Sequence, residues 1–363
     1  MNLKAYQTEF QQVFYTNFNM KNLLFIIVII LFSSCNKLVL DNDETDSQTN
    51  NFEIFWKDFD EHYALFNVRN IDWNNLYDVY KPQVNDDLSD EAFWGILSNM
   101  IEHLDDSHTS LFDGNGHAYR SGATLNNQSG NEISERLIVT NYLDFVTRVP
   151  SEDNLAYGKI KNKNIGYIYL GTMDGENPGI IDNIMIELKD YDALIFDIRQ
   201  NTGGDDRYSA RIAKAFSDGK HFIYTVETRN GLHHDDFDEK TIEYTHLNQD
   251  TPYLKPVIIL TDRATISAGE IFLSHMKAFE HTIQIGDTTA GDFSTVSNMR
   301  FLPNAWHYRY SIQKILLPNG QSLDGIGHVP DVYIKNTEAD INASMDKVIE
   351  KALLYLWDEF QID

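Results

Sequence analysis

The sequence has one cysteine, only eight prolines and no cluster of basic residues. A single cysteine excludes an internal disulfide. Lys and Arg number 29 against 55 Asp and Glu, which gives a net charge of −26. This balance argues against a nucleic-acid partner, because binding to phosphates needs clustered cations. The apolar residues are nevertheless sufficient for a large core, since they make up 42% of 363 residues.

The cysteine stands at the end of a candidate targeting segment. Cys35 follows Lys21, an apolar run over residues 23–32 and a pair of serines. This order is typical of a bacterial secretory signal that ends in a lipid-attachment site. The alternative is an uncleaved anchor or a buried helix, but the run is only half the length of a membrane-spanning helix.

We therefore expect residues 1–35 to form a signal peptide, with Met20 as an alternative start. The mature chain would be lipid-anchored at Cys35 in the bacterial cell envelope, with the outer membrane favoured and the face left open. Residues 36–50 are polar and acidic without periodicity, which predicts a flexible tether.

Residues 51–110 predict a small helical domain. Ser89 is a candidate N-cap, and the apolar stripe that follows it ends at residue 104, just before a polar segment. Residues 111–156 are hard to assign and form a connector. In residues 157–363 apolar runs alternate with helical patterns, which indicates an α/β domain that ends in a helix. The predicted strands are Ile165–Leu170, Ala193–Ile198, Val257–Thr261 and Thr282–Ile285.

One candidate nucleophile lies where a buried strand runs into a helix. Ser267 follows the strand ending at Thr261 and precedes a predicted helix, so its hydroxyl would lie near free N–H groups at the positive helix end. The N–H of Ala268 would be one donor to an oxyanion. Taken alone, an ordinary N-cap serine is the commoner explanation.

Three other segments contribute candidates. A strand ending near Ile198 leads to Gly203 and Gly204, either of which could present a second oxyanion donor. The polar segment after the helical stripe contains His108, a candidate base. Asp324 lies in a glycine-punctuated turn and could orient a neighbour. Each segment, considered separately, also fits a purely structural role.

The ordered set of segments resembles the tail-specific (C-terminal processing) serine peptidases and their relative, the tricorn core peptidase. The matching motifs are a D-x-R-x-N-x-G-G loop (Asp197, Arg199, Asn201, Gly203, Gly204), a T-x-S-A-x-E segment (Thr265, Ser267, Ala268, Glu270), a G-x-x-T-x-G loop (Gly286, Thr289, Gly291) and a G-x-x-P-D turn (Gly327, Pro330, Asp331).

The resemblance implies a crotonase/ClpP-like ββα spiral preceded by the helical domain, and a peptide or protein substrate. One branch of the family has a lysine after the G-x-x-T-x-G loop, where this sequence has Asp292. The tricorn-like branch uses a Ser-His pair, matched by Ser107 and His108, and a late acidic residue, usually Glu, matched by Asp324. A PDZ domain is not expected, because the connector is too short for one.

The resemblance implies acyl transfer without a metal or an organic cofactor. His108 would take the proton of Ser267, Ser107 and Asp324 would orient the imidazole, and Ala268 with Gly203 or Gly204 would hold the oxyanion. Adjacent histidines at 233–234 lack a metal-ligand spacing. An α/β-hydrolase is disfavoured because no G-x-S-x-G surrounds Ser267.

The competing hypothesis is a non-catalytic lipoprotein that binds a hydrophobic, lipid- or retinoid-like ligand on the same fold. The repeats of interphotoreceptor retinoid-binding protein resemble this fold and bind such ligands. Retention of Ser267, His108 and the paired glycines favours the peptidase, because a binding module does not need them.

Overall fold

A computed structural model describes residues 45–122, 133–150, 152, 154–248 and 251–363. Cys35 and the expected signal peptide lie outside the described residues, as does most of the expected tether. The last residues of the expected tether belong instead to the first helix, which begins at Gln48. Ser47 caps this helix, because the Asn50 N–H donates to Ser47 Oγ at 3.3 Å.

The described residues contain fourteen strands and ten α-helices. The strands are β1 (Ser110–Phe112), β2 (Ala118–Arg120), β3 (Leu143–Arg148), β4 (Leu155–Ile160), β5 (Ile165–Leu170), β6 (Ala193–Asp197), β7 (Phe222–Thr228), β8 (Thr241–Tyr244), β9 (Val257–Thr261), β10 (Thr282–Gly286), β11 (Arg300–Phe301), β12 (His307–Arg309), β13 (Gln313–Leu316) and β14 (Val332–Tyr333).

The helices are α1 (Gln48–His62), α2 (Phe66–Arg69), α3 (Trp73–Tyr80), α4 (Asp90–Glu102), α5 (Glu135–Leu137), α6 (Ile180–Leu188), α7 (Asp206–Ala213), α8 (Ala268–Met276), α9 (Glu338–Asn342) and α10 (Lys347–Phe360). Among the described residues, no helix is both long and apolar enough to cross a membrane.

A seven-stranded sheet forms the centre of the fold. Its order is β14-β10-β9-β6-β5-β4-β3, with β5, β6, β9, β10 and β14 parallel and β3–β5 antiparallel. All four predicted strands are confirmed as members of this sheet. Because β6 and β9 are parallel neighbours, the loops after them emerge at the same edge of the sheet, which brings the predicted Ser267 and Gly203 segments together.

Alternate residues of the central strands bury against opposite layers. Leu194 and Phe196 of β6 pack with helices α6, α7 and α8 on one face. Ala193 and Ile195 face the other way and pack with α10. The strands are buried on both faces, which explains why they are continuously apolar in sequence. The predicted α/β class is confirmed.

The N-terminal helices form a second core. The apolar faces of α1, α3 and α4 pack on a four-stranded antiparallel sheet with the order β11-β12-β1-β2. Two of these strands come from residues 300–309, so the helices bury apolar surface against a segment that is distant in sequence. The predicted helical region is confirmed, and residues Ser47–Asp363 form one compact unit.

The expected connector, residues 111–156, contains most of β1, all of β2, α5 and β3, and the start of β4. The exact domain boundaries and the expected lack of a PDZ domain stay predictions. A separate three-stranded sheet, β13-β7-β8, packs beside α7 and α8 through a small apolar cluster.

Candidate active site

Ser267 lies in a strained turn immediately before α8. Its φ is +58° and its ψ is −125°, whereas an ordinary N-cap residue has extended backbone geometry. A residue with a Cβ in such a conformation needs support from its neighbours. The Ser267 N–H donates to Glu270 Oε2 at 3.2 Å, and the preceding N–H, of Ile266, donates to Asn201 O at 3.1 Å. These hydrogen bonds stabilise a backbone conformation that an ordinary N-cap serine does not adopt.

Gly203 contacts the serine so closely that no side chain fits there. A Cβ on Gly203 would lie 2.7 Å from Ser267 Cβ and 3.2 Å from its Oγ. The φ of Gly203, +78°, also disfavours any other residue. Asn201 stabilises this loop, since its Nδ2 donates to Leu170 O at 2.7 Å and its Oδ1 accepts from the Gly203 N–H at 2.9 Å.

Two backbone N–H groups near the serine remain available to an oxyanion. The N–H groups of Ala268 and Gly204 donate to no acceptor among the described residues. The N–H of Gly203 is already donated to Asn201. Of the two glycines that the sequence left as alternatives, Gly204 is thus the one with a free donor, and it lines the same cavity as Ser267.

His108 lies across this cavity from a distant part of the chain. A cavity of about 730 Å³ is lined by Ser267, Gly204, His108 and Ser107, among other residues. Among the described residues no hydrogen bond joins His108 to Ser267, and the buried Nδ1 of His108 has no partner. The structure therefore brings the predicted nucleophile and base to one cavity.

Asp292 is the carboxylate that contacts Ser107, the residue before His108. Its Oδ2 accepts hydrogen bonds from Ser107 Oγ and, at 3.2 Å, from the Ser107 N–H. Its Oδ1 forms an ion pair with Arg69, and both side chains are almost fully buried. Burial raises the pKa of Asp292, while the charges of Arg69 and His108 act to lower it. From the sequence, Asp292 was visible only as the residue that replaces the family's lysine.

Arg69 joins the helical region to the loop that contains Asp292. Its Nη1 donates to Asp105 O and its Nη2 to Gly291 O, the latter at 3.2 Å. Both acceptors lie next to site residues: Asp105 precedes the Ser107–His108 pair, and Gly291 precedes Asp292. No sequence pattern marked Arg69, because its contact with Asp292 spans 223 residues of chain.

Asp324 does not make the predicted contact with the imidazole. Its Oδ1 accepts from the Phe293 N–H at 3.0 Å, and its Oδ2 accepts from Ser322 Oγ at 3.3 Å. Burial raises its pKa to about 7. The physical reason for the difference is that Asp292, rather than Asp324, occupies the position next to Ser107. Asp324 supports the backbone that follows Asp292.

Glu270 connects the nucleophile turn to the Asp292 loop. Its Oε2 accepts from the Ser267 N–H and, at 2.9 Å, from the Asp292 N–H. Its Oε1 accepts from Thr289 Oγ1 at 2.6 Å and from the Gly291 N–H at 2.8 Å. Burial raises the pKa of Glu270 to about 8, against the effect of these donors. The sequence placed Glu270 in a motif but gave no role for it.

Within the described parts of the chain, no group of three or more His, Cys, Asp or Glu residues is arranged to hold a metal ion. The second of the adjacent histidines at 233–234 contacts the helical region, where His234 Nε2 lies 2.7 Å from Asp60 Oδ1. The arrangement around Ser267 suits acyl transfer: the predicted nucleophile, an imidazole and the free N–H of Gly204 line one cavity, and the free N–H of Ala268 directly follows Ser267.

Comparisons with known proteins agree with this geometry. A model of peptidase family S41 matches residues 164–334, and a model of the tricorn protease C1 domain matches residues 46–102. The "putative peptidase" of Parabacteroides merdae ATCC 43184, known from a crystal structure, is 29% identical, with a TM-score of 0.77 over 86% of this chain and 97% of that chain.

The carboxy-terminal processing protease CtpB of Bacillus subtilis (strain 168) is 26% identical over 182 residues, which are 50% of this chain and 36% of that protein. The chain spans less than half the length of the first curated relatives that it matches. The crystal structure of the tricorn protease shares the fold, with a TM-score of 0.56 and 17% identity over 87% of this chain and 37% of that chain.

Proposed function

We propose that the chain is a serine peptidase of the S41 family, of the tail-specific, tricorn-like type, and that it cleaves peptide or protein substrates. The observation that carries the proposal is the shared cavity. Ser267 in its strained turn, the free N–H of Gly204 and the imidazole of His108 line this cavity, and the free N–H of Ala268 directly follows the serine.

The proposed reaction forms and hydrolyses an acyl-enzyme. Ser267 Oγ attacks the scissile carbonyl carbon while His108 takes the hydroxyl proton. The N–H groups of Ala268 and Gly204 bind the oxyanion of the tetrahedral intermediate. His108 then gives the proton to the leaving amine, and a water molecule releases the acyl group by the same steps.

Orientation of the base is proposed to depend on Ser107 and Asp292. Asp292 accepts the hydrogen bond of Ser107, and its charge stabilises the imidazolium that forms during attack. Arg69 and Glu270 hold Asp292 from its two sides, through its carboxylate and its N–H respectively. Asp324 is a supporting residue in this scheme.

The test is turnover of the Ser267→Ala and His108→Ala variants on a peptide substrate. We expect both to lose at least about 1000-fold in kcat, because a nucleophile or its base is removed. An exposed-histidine variant, His117→Ala, is the matched control and should keep wild-type turnover. Near wild-type turnover in either site variant would exclude the proposed roles. Co-purification of a hydrophobic ligand with no turnover would favour a binding protein.

We also propose that the mature chain is a bacterial lipoprotein of the cell envelope. The support is the sequence pattern before Cys35: a lysine, a short apolar run and two serines. Metabolic labelling with an alkyne-tagged palmitate tests this. The full-length chain should take up the label and Cys35→Ser should not, whereas Ser267→Ala should be labelled normally. Equal labelling of Cys35→Ser would contradict the proposal.

A further inference from the structure

A second cavity, of about 570 Å³, adjoins the cavity of the nucleophile. The two share Asp206, Arg207 and Thr295 in their linings. One wall of the second cavity is a single face of the sheet β13-β7-β8, because the residues that it takes from β7 are the alternate ones Tyr224, Val226 and Thr228. The opposite wall is formed by α7 and by one residue of α8.

Two carboxylates face this cavity without partners. Asp206 is the first residue of α7. Glu243 lies directly opposite Tyr224 in the β7–β8 pair, so the side chains of Glu243 and Tyr224 are on the same face of the sheet. Neither carboxylate has a hydrogen bond or an ion pair among the described residues. Burial, together with the charges of Asp205 and Glu243, raises the pKa of Asp206 to about 6.

The cations of the same lining do not neutralise these carboxylates. Arg207 points outward with its side chain 92% exposed and pairs with Asp205 at 2.6 Å. Arg211 pairs with Asp182. Lys214 lies eight residues after Asp206, which is roughly 12 Å along a helix axis. Within the described part of the chain, no lysine or arginine of this lining forms an ion pair with Asp206 or Glu243.

Two buried polar side chains also reach the cavity without a hydrogen bond. Tyr224 is 5% exposed and His275 is 3% exposed, and among the described residues neither the hydroxyl nor the imidazole nitrogens have a hydrogen-bond partner. Burial lowers the pKa of His275 to about 4, so its ring is neutral at pH 7 and adds no positive charge. Both polar groups are therefore available to hydrogen-bond with a group bound in the cavity.

We propose that this cavity binds a lysine or arginine side chain of the substrate and directs cleavage to bonds near that residue. The cavity is called the acidic subsite, and the residues that define it are Asp206, Glu243, Tyr224 and His275. The proposal rests on the proposed peptidase function. The apolar stem of the side chain would pack on Val226 and Ala210, and its charged end would donate to the two carboxylates.

Binding can be tested without turnover. Butylguanidinium is the probe, butylurea is its neutral counterpart, and ligand-observed NMR on the full chain is the measurement. We expect the wild type to prefer butylguanidinium and the double variant Asp206→Asn/Glu243→Gln to bind it about 10- to 100-fold more weakly, since charge-assisted hydrogen bonds are lost. The matched control Glu239→Gln/Glu280→Gln removes two exposed charges outside the cavity and should bind normally.

Cleavage preference is the second readout. The wild type is incubated with a mixture of peptides, and mass spectrometry identifies the residues around each cleaved bond. Lys and Arg should be enriched at one fixed position, and the double variant should lose that enrichment. Equal binding of the two probes, no enrichment in the wild type, or enrichment that persists in the double variant overturns the proposal.

The two levels of inference fail separately. If the wild type cleaves no peptide and Ser267 is not labelled by a serine-reactive phosphonate, the peptidase function is contradicted. The titration with butylguanidinium then still decides whether the cavity binds a guanidinium group. Normal cleavage by the wild type without a basic preference contradicts only the acidic subsite.

Discussion

Replacement of Asp292 by asparagine tests which acid supports the base. The wild-type carboxylate accepts from Arg69 on one oxygen and from Ser107 on the other. An asparagine has one acceptor and one donor, so it can satisfy Arg69 or Ser107 but not both. Either orientation also removes the negative charge that acts on His108.

The structure sets the size of the expected effects. Breaking a buried ion pair costs about 3–5 kcal/mol of stability. We expect the lower end, about 3 kcal/mol, because Arg69 keeps its backbone acceptors, Asp105 O and Gly291 O. Loss of the oriented base should reduce kcat by about 100-fold, which corresponds to about 2.7 kcal/mol of transition-state stabilisation.

The matched control is Asp324→Asn. Its amide oxygen can still accept from the Phe293 N–H, and its amide nitrogen can donate to Ser322 Oγ. Stability should therefore fall by less than about 1.5 kcal/mol, and kcat should stay within about threefold of the wild type. Urea unfolding and initial rates on one peptide substrate measure both quantities for the two variants.

If Asp324→Asn loses as much turnover as Asp292→Asn while both remain folded, Asp292 is not the acid that specifically orients the base. That result would restore to Asp324 the orienting role that the sequence assigned to it. Turnover within threefold of the wild type in Asp292→Asn would equally contradict a role for the Ser107–Asp292 contact.

Two further predictions concern stability. Ser267→Gly should be more stable than Ser267→Ala by about 1 kcal/mol in urea unfolding, because glycine adopts the combination of φ +58° and ψ −125° with less strain than alanine; equal stabilities would show that the turn is unstrained. Burial lowers the pKa of His328 from 6.5 to about 3. Between pH 6.5 and 3, His328 is therefore protonated in the unfolded chain but not in the folded chain. The free energy of unfolding falls as the pH drops through this range, by up to about 1.4 kcal/mol per pH unit. Unfolding midpoints between pH 4.5 and 6 should be less steeply pH-dependent in His328→Gln; an unchanged slope would contradict the assignment.

The parts of the site that the sequence predicted are those formed by local patterns. Ser267 and Gly203 follow apolar strands that are buried on both faces, and their loops meet because β6 and β9 are adjacent parallel strands. Strand order was not predicted, but the carboxyl ends of parallel strands share one edge of a sheet in any order. Strand ends therefore explain why the two loops meet, whereas the roles assigned to Ser267 and the glycines came from the family resemblance.

The parts that the sequence could not predict depend on contacts between distant segments. Asp292 meets Ser107 across 185 residues and Arg69 across 223. Asp324 was assigned an orienting role from its position in the sequence, but the carboxylate that Ser107 contacts belongs to Asp292, in a different loop. The acidic subsite depends on the register that places Glu243 opposite Tyr224, and neither β7 nor β8 was among the predicted strands.

The most direct test of the central claim is to locate a covalent adduct. The full chain is treated with a fluorophosphonate, digested, and analysed by tandem mass spectrometry. We predict that the phosphonyl group is on Ser267 and that labelling slows at least about 100-fold in His108→Ala, because the hydroxyl then lacks its base. An adduct on another serine, or labelling that does not depend on His108, would contradict the assignment of nucleophile and base.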